Sequence, residues 1–350
     1  EVRGSVAVRP GLPLWRKFLQ YFGPGLLISV GYMDPGNWAT DIEAGSRYGT
    51  DLLFVVALSS LAGILLQTLC ARLGLVAGKD LARLCRERYR PPVAFALWIF
   101  AELAIIACDV AEVLGSALAL NLLFNLPLWL GVLVTGLDTI IVLSLKGRGF
   151  RQLEAIVLGL VGTIALCFAI EIAMLQPALA SVLSGLVPDI KLARDPQAFY
   201  LAVGIVGATV MPHNLYLHSS VVQTRITRAT EAGKREGIRW ATVDTVVALL
   251  LAMLVNAAIL IVAATAFHAT GQTAVTEIDD AYRLLAPLTG SGLAAVLIGV
   301  ALLVSGQSST FTGTVAGQVI LEGFLELKIP CYQRRLITRA LALGPALVGV

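Results

Sequence analysis

Gly31-Tyr32-Met33-Asp34-Pro35-Gly36-Asn37-Trp38-Ala39-Thr40 sets a carboxylate, a proline and a glycine in the middle of an apolar stretch. Pro35 has no N–H to donate and crowds the preceding turn, and Gly36 relaxes the backbone, so a helix running through this stretch breaks beside Asp34. The break frees backbone carbonyls around residues 31–33. A second apolar stretch is interrupted at Gly207-Ala208-Thr209-Val210-Met211-Pro212-His213, where Pro212 cannot donate to the carbonyl of Ala208 four residues earlier. Open backbone in hydrocarbon is tolerated only where protein buries it or where it lines a polar cavity. Interrupted helices at matching positions of two five-helix units point to an inverted-repeat transporter with its binding site at the breaks.

Outside the breaks, the composition is that of a membrane protein: 57% of the 350 residues are hydrophobic and only 14% are charged. A soluble domain carries about 45–50% apolar and about 25% charged residues. Apolar stretches near the roughly 20 residues that a bilayer-crossing helix needs recur along the chain. Nine spans are expected, at 20–46, 51–77, 92–124, 127–146, 153–175, 196–222, 240–267, 287–325 and 336–350. This predicts an all-α integral membrane protein with a single transmembrane domain over 1–350. Helices 1–5 (1–175) form the first inverted repeat and helices 6–9 (196–350) an incomplete second one. Side-chain identity between the halves is negligible, so the repeat rests on hydropathy and break position. Connections are short except 176–197 and 269–289, which leaves no separate soluble domain.

The basic residues are lopsided. Segments before span one and between spans two and three, four and five, six and seven, and eight and nine, with the span ends beside them, hold 22 of the 26 Lys and Arg. The opposite side holds only Arg47, Lys191, Arg194 and Arg283, and its connection between spans seven and eight is acidic at Glu277, Asp279 and Asp280. By the positive-inside rule the N-terminus is cytoplasmic in a multi-pass protein of the cell (inner) membrane, and nine spans put the end of the chain outside. Trp15-Arg16-Lys17-Phe18 precedes an apolar segment that has no small-residue cleavage site and runs into a polar motif, so it reads as the first span rather than a signal peptide. The sequence lacks an initiator Met and stops inside the apolar run 341–350, as expected of a trimmed stretch whose second repeat would need a tenth span. Its five cysteines show no CxxC pair or regular spacing and read as packing residues.

An ionisable group near the bilayer centre costs about 2.5–3.5 kcal/mol on insertion scales, so Asp34 needs a partner. A cation held by its carboxylate, the Asn37 amide oxygen and freed carbonyls would supply one; Asp34 capping the second half-helix is the alternative. Met211, at the second break, is either packing or a thioether ligand. Beside a carboxylate and an amide, a thioether makes a mixed soft and hard site suited to manganese, iron, cobalt or cadmium rather than calcium or magnesium. His213, His218 and His268 are the only histidines. The first two stand about 140° apart around a helix and form no i,i+4 pair, and no HExxH motif occurs. His213 either takes part in proton movement or gating below the metal site, or is an ordinary helix histidine. Glu102, Asp109 and Glu112 punctuate span three, and Asp109 and Glu112 share a face. Arg334 and Arg335 are candidate partners for Asp109 and Glu112, in a buried network that either conducts protons or is a structural salt bridge.

Taken together, the two motifs resemble the signatures of the Nramp (natural resistance-associated macrophage protein) family, the second of them running on through Asn214-Leu215-Tyr216-Leu217-His218-Ser219. The resemblance covers the whole chain, including Asp109/Glu112, Arg334-Arg335 and Gly313-Thr314-Val315-Ala316-Gly317-Gln318. It implies a LeuT-like inverted-repeat fold with broken helices 1 and 6. Asp34, Asn37, Met211 and the Ala208 carbonyl would bind metal, with a Gly31 carbonyl added in some conformations. His213, Glu112, Asp109, Arg334 and Arg335 would serve the proton route. The implied activity is proton-coupled symport of divalent transition metals such as manganese and iron into the cytoplasm, with cobalt and cadmium also carried, by alternating access. No enzyme activity and no permanently bound cofactor are implied; the partners are metal ions, protons and the bilayer, not nucleic acid. A polar residue of helix ten, which approaches the metal in some family members, lies beyond this sequence.

Four other readings compete. A cation-coupled amino-acid transporter of the same fold would hold a substrate carboxylate at a half-helix N-terminus, where an anionic Asp34 repels it. A magnesium-type relative lacks the methionine of the second motif. A channel would show a repeated pore motif, and an intramembrane hydrolase a nucleophile with its base or a metal triad; neither is evident.

Overall fold

Pro24, Pro35, Pro91, Pro196 and Pro212 each begin a helix, at the first-turn position where a missing N–H leaves no bond unmade. The structure, a computed structural model, describes residues 4, 6–8, 13–137, 150–189, 192–226, 230–289 and 292–349. After β1 (Val6–Ala7) and α1 (Leu14–Tyr21), α2 (Pro24–Ser29) tightens into a 3-10 turn, Val30–Met33. The chain is extended at Asp34 (φ −76°, ψ 168°) and resumes as α3 (Pro35–Tyr48). Next come α4 (Leu53–Ala77), α5 (Leu81–Arg88), α6 (Pro91–Phe124), α7 (Leu128–Thr135), α8 (Phe150–Leu175) and α9 (Leu179–Gly185). The second break separates α10 (Pro196–Thr209) from α11 (Pro212–Val221). β2 (Arg225–Ile226), α12 (Glu231–Ala266), α13 (Ile278–Thr289), α14 (Gly292–Leu325) and α15 (Cys331–Val348) follow. β1 and β2 form a two-residue parallel pair that ties the N-terminal segment to the chain after α11.

Among the described residues, six helical stretches are long and apolar enough to cross a bilayer: α4, α6, α8, α10 with α11, α12 and α14. Nine were expected. By this measure the first span is cut in two at Asp34, the expected fourth (127–146) reaches beyond the described residues after 137, and the helix that holds the expected ninth, α15, carries Arg334, Arg335 and Arg339. The latter part of span four, with Lys146, lies outside the described residues, as do Arg3, Arg9, Arg148, Lys191 and Arg228. The two long connections and the segment between spans two and three contain short helices that the sequence reading passed over. In α13, Ile278, Ala281 and Leu285 are buried at helical spacing, an amphipathic pattern too short to register as a span.

Helix α4 shows how the bundle meets its surroundings. Leu58, Leu61, Leu65, Leu69 and Leu73 recur every three or four residues and are exposed, while Ser59, Ser60, Gly63 and Gln67 face inward. An apolar stripe outside and a polar one inside suits lipid, not water. The broken first helix is the centre of the molecule: Leu27, Ile28 and Trp38 are fully buried in the main apolar cluster, against α8, α12 and α14. Its N-terminal end is pinned. The Asp244 carboxylate accepts from the N–H of Gly23 at 3.1 Å and of Gly25 at 2.7 Å. Arg225 donates to the Phe22 carbonyl at 2.7 Å and pairs with buried Glu154 at 2.6 Å.

Candidate metal centre

The first break is held open by its neighbours. A methyl on Gly115 of α6 would stand 2.5 Å from the Pro35 ring, so glycine lets α6 press directly on the break. Of the carbonyls expected to be freed, that of Tyr32 accepts from Asn256 Nδ2 of α12 at 2.8 Å, and that of Met33 accepts from Ser305 Oγ of α14. Two neighbouring helices therefore satisfy part of the unwound turn, which leaves less open backbone there than the proline alone implies.

Asp34 is buried. Its Oδ1 accepts from the Asn37 N–H at 2.9 Å, so it does cap the second half-helix, and its Oδ2 faces the Cys108 thiol at 3.5 Å. One atom of the Asn37 side-chain amide lies 2.7 Å from Asp34 Oδ1 and 3.2 Å from the Ala208 carbonyl oxygen. If that atom is Nδ2, it donates to both. If it is Oδ1, it meets the Asp34 and Ala208 oxygens with no side-chain donor between them, and Nδ2 turns to Thr209 Oγ1 at 3.5 Å. The first orientation satisfies both acceptors by hydrogen bonds, and the second would suit a cation at the three oxygens. Met211 is buried at the N-cap of α11, three residues past Ala208, and Gly31 lies in the 3-10 turn just before Asp34.

The acids of α6 separate into distinct environments. Asp109 is paired with Arg335 at 2.8 Å and with Arg339 at 3.1 Å, all three buried. Arg334 does not join them: its Nη2 sits 2.7 Å from both oxygens of Glu102, two turns toward the start of α6. The expected grouping of Arg334 with Asp109 and Glu112 is corrected by helix geometry, since Arg335 and Arg339 share a face of α15 and Arg334 points about 100° away. Glu112 receives the Thr310 hydroxyl at 3.0 Å on one oxygen and faces Cys108 Sγ at 3.7 Å on the other. Thr310 is in turn 3.4 Å from Arg339. His213 is buried with Nδ1 unpartnered among the described residues, and no bond joins it to these acids.

Three participants escaped the sequence reading. Cys108, taken as packing, stands between Asp34 and Glu112, where its single S–H can serve one carboxylate at a time. Its position one turn before Glu112 on the same face was the available signal. Arg339 was signalled by its i,i+4 spacing from Arg335. Thr310 carried no signal, because hydroxyls are common in buried helices.

Among the described residues no three or more His, Cys, Asp or Glu converge as a metal cluster. The groups that meet at the breaks are instead one carboxylate, one amide and one backbone carbonyl. The chain matches the family model described as natural resistance-associated macrophage protein-like over residues 25–350. It is 63% identical over 350 residues to the divalent metal cation transporter MntH of Ralstonia nicotianae, covering all of this chain and 79% of that protein. It is 60% identical over 349 residues to MntH 1 of Pseudomonas aeruginosa, covering 100% and 80%. The Eremococcus coleocola manganese transporter, solved in complex with an aromatic bis-isothiourea substituted compound, superposes with a TM-score of 0.92 at 40% identity, covering 99% of this chain and 74% of that one. Mhp1, a nucleobase-cation-symport-1 family transporter in a closed conformation, superposes at 0.67 with 15% identity over 94% and 72% of the two chains, a likeness of fold alone.

Proposed function

As a chain that belongs to the natural resistance-associated macrophage protein (Nramp) family, this is a divalent metal cation transporter of LeuT-like fold, not an enzyme, and we propose that it imports manganese and iron together with protons by alternating access. Cobalt and cadmium would be carried as well. The proposed ligands are Asp34, Asn37, Met211 and the Ala208 carbonyl, with Gly31 added in some conformations. The carrying observation is the meeting of Asp34, Asn37 and the Ala208 carbonyl across the two breaks. The repeats proposed are 1–175 and 196–350. The basic residues support an N-terminus in the cytoplasm and residence in the cell inner membrane.

The proton route proposed runs through Glu112 and Asp109, with Arg335, Arg334 and His213 flanking it. Its support is the contact of Cys108 with both Asp34 and Glu112, and of Thr310 with both Glu112 and Arg339. A proton taken up at Glu112 is felt at the metal ligand through short polar contacts rather than through open water.

Selectivity tests the ligand set. Calcium and magnesium favour all-oxygen shells, whereas manganese and iron tolerate a thioether and cadmium favours it. In vesicles holding the full-length protein under an inward proton gradient, Met211→Ala is expected to keep manganese uptake at a KM raised about tenfold. Cadmium uptake falls further, and calcium or magnesium begins to compete. Exclusion of calcium and magnesium as strict as in the wild type would reduce Met211 to packing.

A further inference from the structure

The half-helices that follow the two breaks begin alike. Asp34 and Met211 are their N-caps, Pro35 and Pro212 their first residues, and Asn37 and Asn214 both stand three residues past the cap. Asn37 is the amide that meets Asp34 and the Ala208 carbonyl. Asn214 is 0% exposed, and among the described residues neither its Oδ1 nor its Nδ2 has a hydrogen-bond partner. A buried amide with its bonding capacity unmet is a costly thing to keep, and folded proteins rarely keep one without use.

Its placement indicates the use. The amide lies against Gly31 in the turn that leads into Asp34: a Cβ at position 31 would stand 3.0 Å from Asn214 Cγ and 3.1 Å from Oδ1, and would overlap Nδ2. Only glycine leaves room for it. One turn further along the same face, His218 Nδ1 is 3.0 Å from Gln67 Oε1, and Gln67 Nε2 donates to the Tyr32 hydroxyl at 3.0 Å. A polar strip thus runs from the break along α11, beside α2 and α4. Inverted repeats are related by a pseudo-two-fold axis in the membrane plane, so what α3 offers on the outer side of the site, α11 offers on the inner side.

We propose that Asn214 is the inner-side counterpart of Asn37: its amide oxygen joins the shell of the metal, directly or through a bound water, as the ion leaves Asp34 for the cytoplasm. This inference rests on the metal site described above. In the conformation seen here the amide waits against Gly31; displacement of the unwound turn uncovers it, and the departing ion finds a neutral oxygen that binds weakly enough to let go.

The test uses the full-length protein in proteoliposomes, with manganese as the probe. Asn214→Leu keeps the size and removes the polarity. It is expected to bind manganese by calorimetry within about threefold of the wild type and to melt no earlier, because an unsatisfied amide has gone. Its maximal uptake rate is expected to fall at least about tenfold. Asn214→Asp, of the same shape but charged, is expected to lower KM and maximal rate together, since the ion is held where it should pass. Wild-type uptake in Asn214→Leu overturns the proposal, and so does early melting with loss of binding, which makes the amide structural. An unchanged KM in Asn214→Asp also counts against it. Failure of the underlying site shows separately, as unimpaired manganese binding in Asp34→Ala.

Discussion

Asp34→Ala is expected to abolish manganese binding and uptake, with affinity falling by more than about 100-fold, beyond the usual cost of losing a second-shell partner. Asp34 is the carboxylate where the two breaks meet, and without it a divalent ion faces an amide, a carbonyl and a thioether, all neutral. The alanine also removes the cap on α3, worth about 0.5–2 kcal/mol of stability. Asp34→Asn separates the two effects: it keeps the shape and an oxygen that can accept from the Asn37 N–H, so the fold should melt as the wild type does while binding is still lost. Calorimetric titration of both variants beside thermal melts reads this out. Manganese bound with wild-type affinity by either variant would sink the site.

Glu112→Gln is expected to uncouple uptake from the proton gradient. The glutamine keeps the bond from Thr310 and the neighbourhood of Cys108 but cannot exchange a proton at this position. Among the described residues the hydrogen-bonded link from Glu112 to Asp34 runs through Cys108, so metal affinity should change by no more than about tenfold, the range of coupled neighbours. Stimulation of uptake by external acid should be lost. Uptake measured across a series of imposed pH gradients checks this; a gradient response like that of the wild type would remove Glu112 from the route and leave the α6 and α15 charges as structure.

The legible parts of the molecule were those that proline dictates. Pro35 and Pro212 each remove a backbone donor, a local effect with a local consequence, so both breaks could be placed from the residues alone. The groups that meet were legible for the same reason, since Asp34, Asn37 and Ala208 all lie within four residues of a proline. What depended on the rotation of one helix against another was less so. Arg334 and Arg335 are adjacent in sequence yet answer Glu102 and Asp109 respectively, and Cys108 gains its meaning from a carboxylate 74 residues away. Asn214 was legible in principle, because the third residue past the cap is an asparagine at both breaks, but only its burial without partners shows that the match has content. The short helices α5, α9 and α13 were missed because hydropathy scans reward length, and amphipathic turns beside a bilayer have little of it.

Anomalous scattering from manganese-soaked crystals of the full-length protein tests the central claim most directly. A single strong peak is expected between Asp34 Oδ1, Asn37, the Ala208 carbonyl and Met211 Sδ, with the Asn37 amide turned so that its oxygen faces the ion. A peak elsewhere in a protein that binds manganese, or a peak at this place with Asn37 still donating its N–H groups to Asp34 and Ala208, would contradict it.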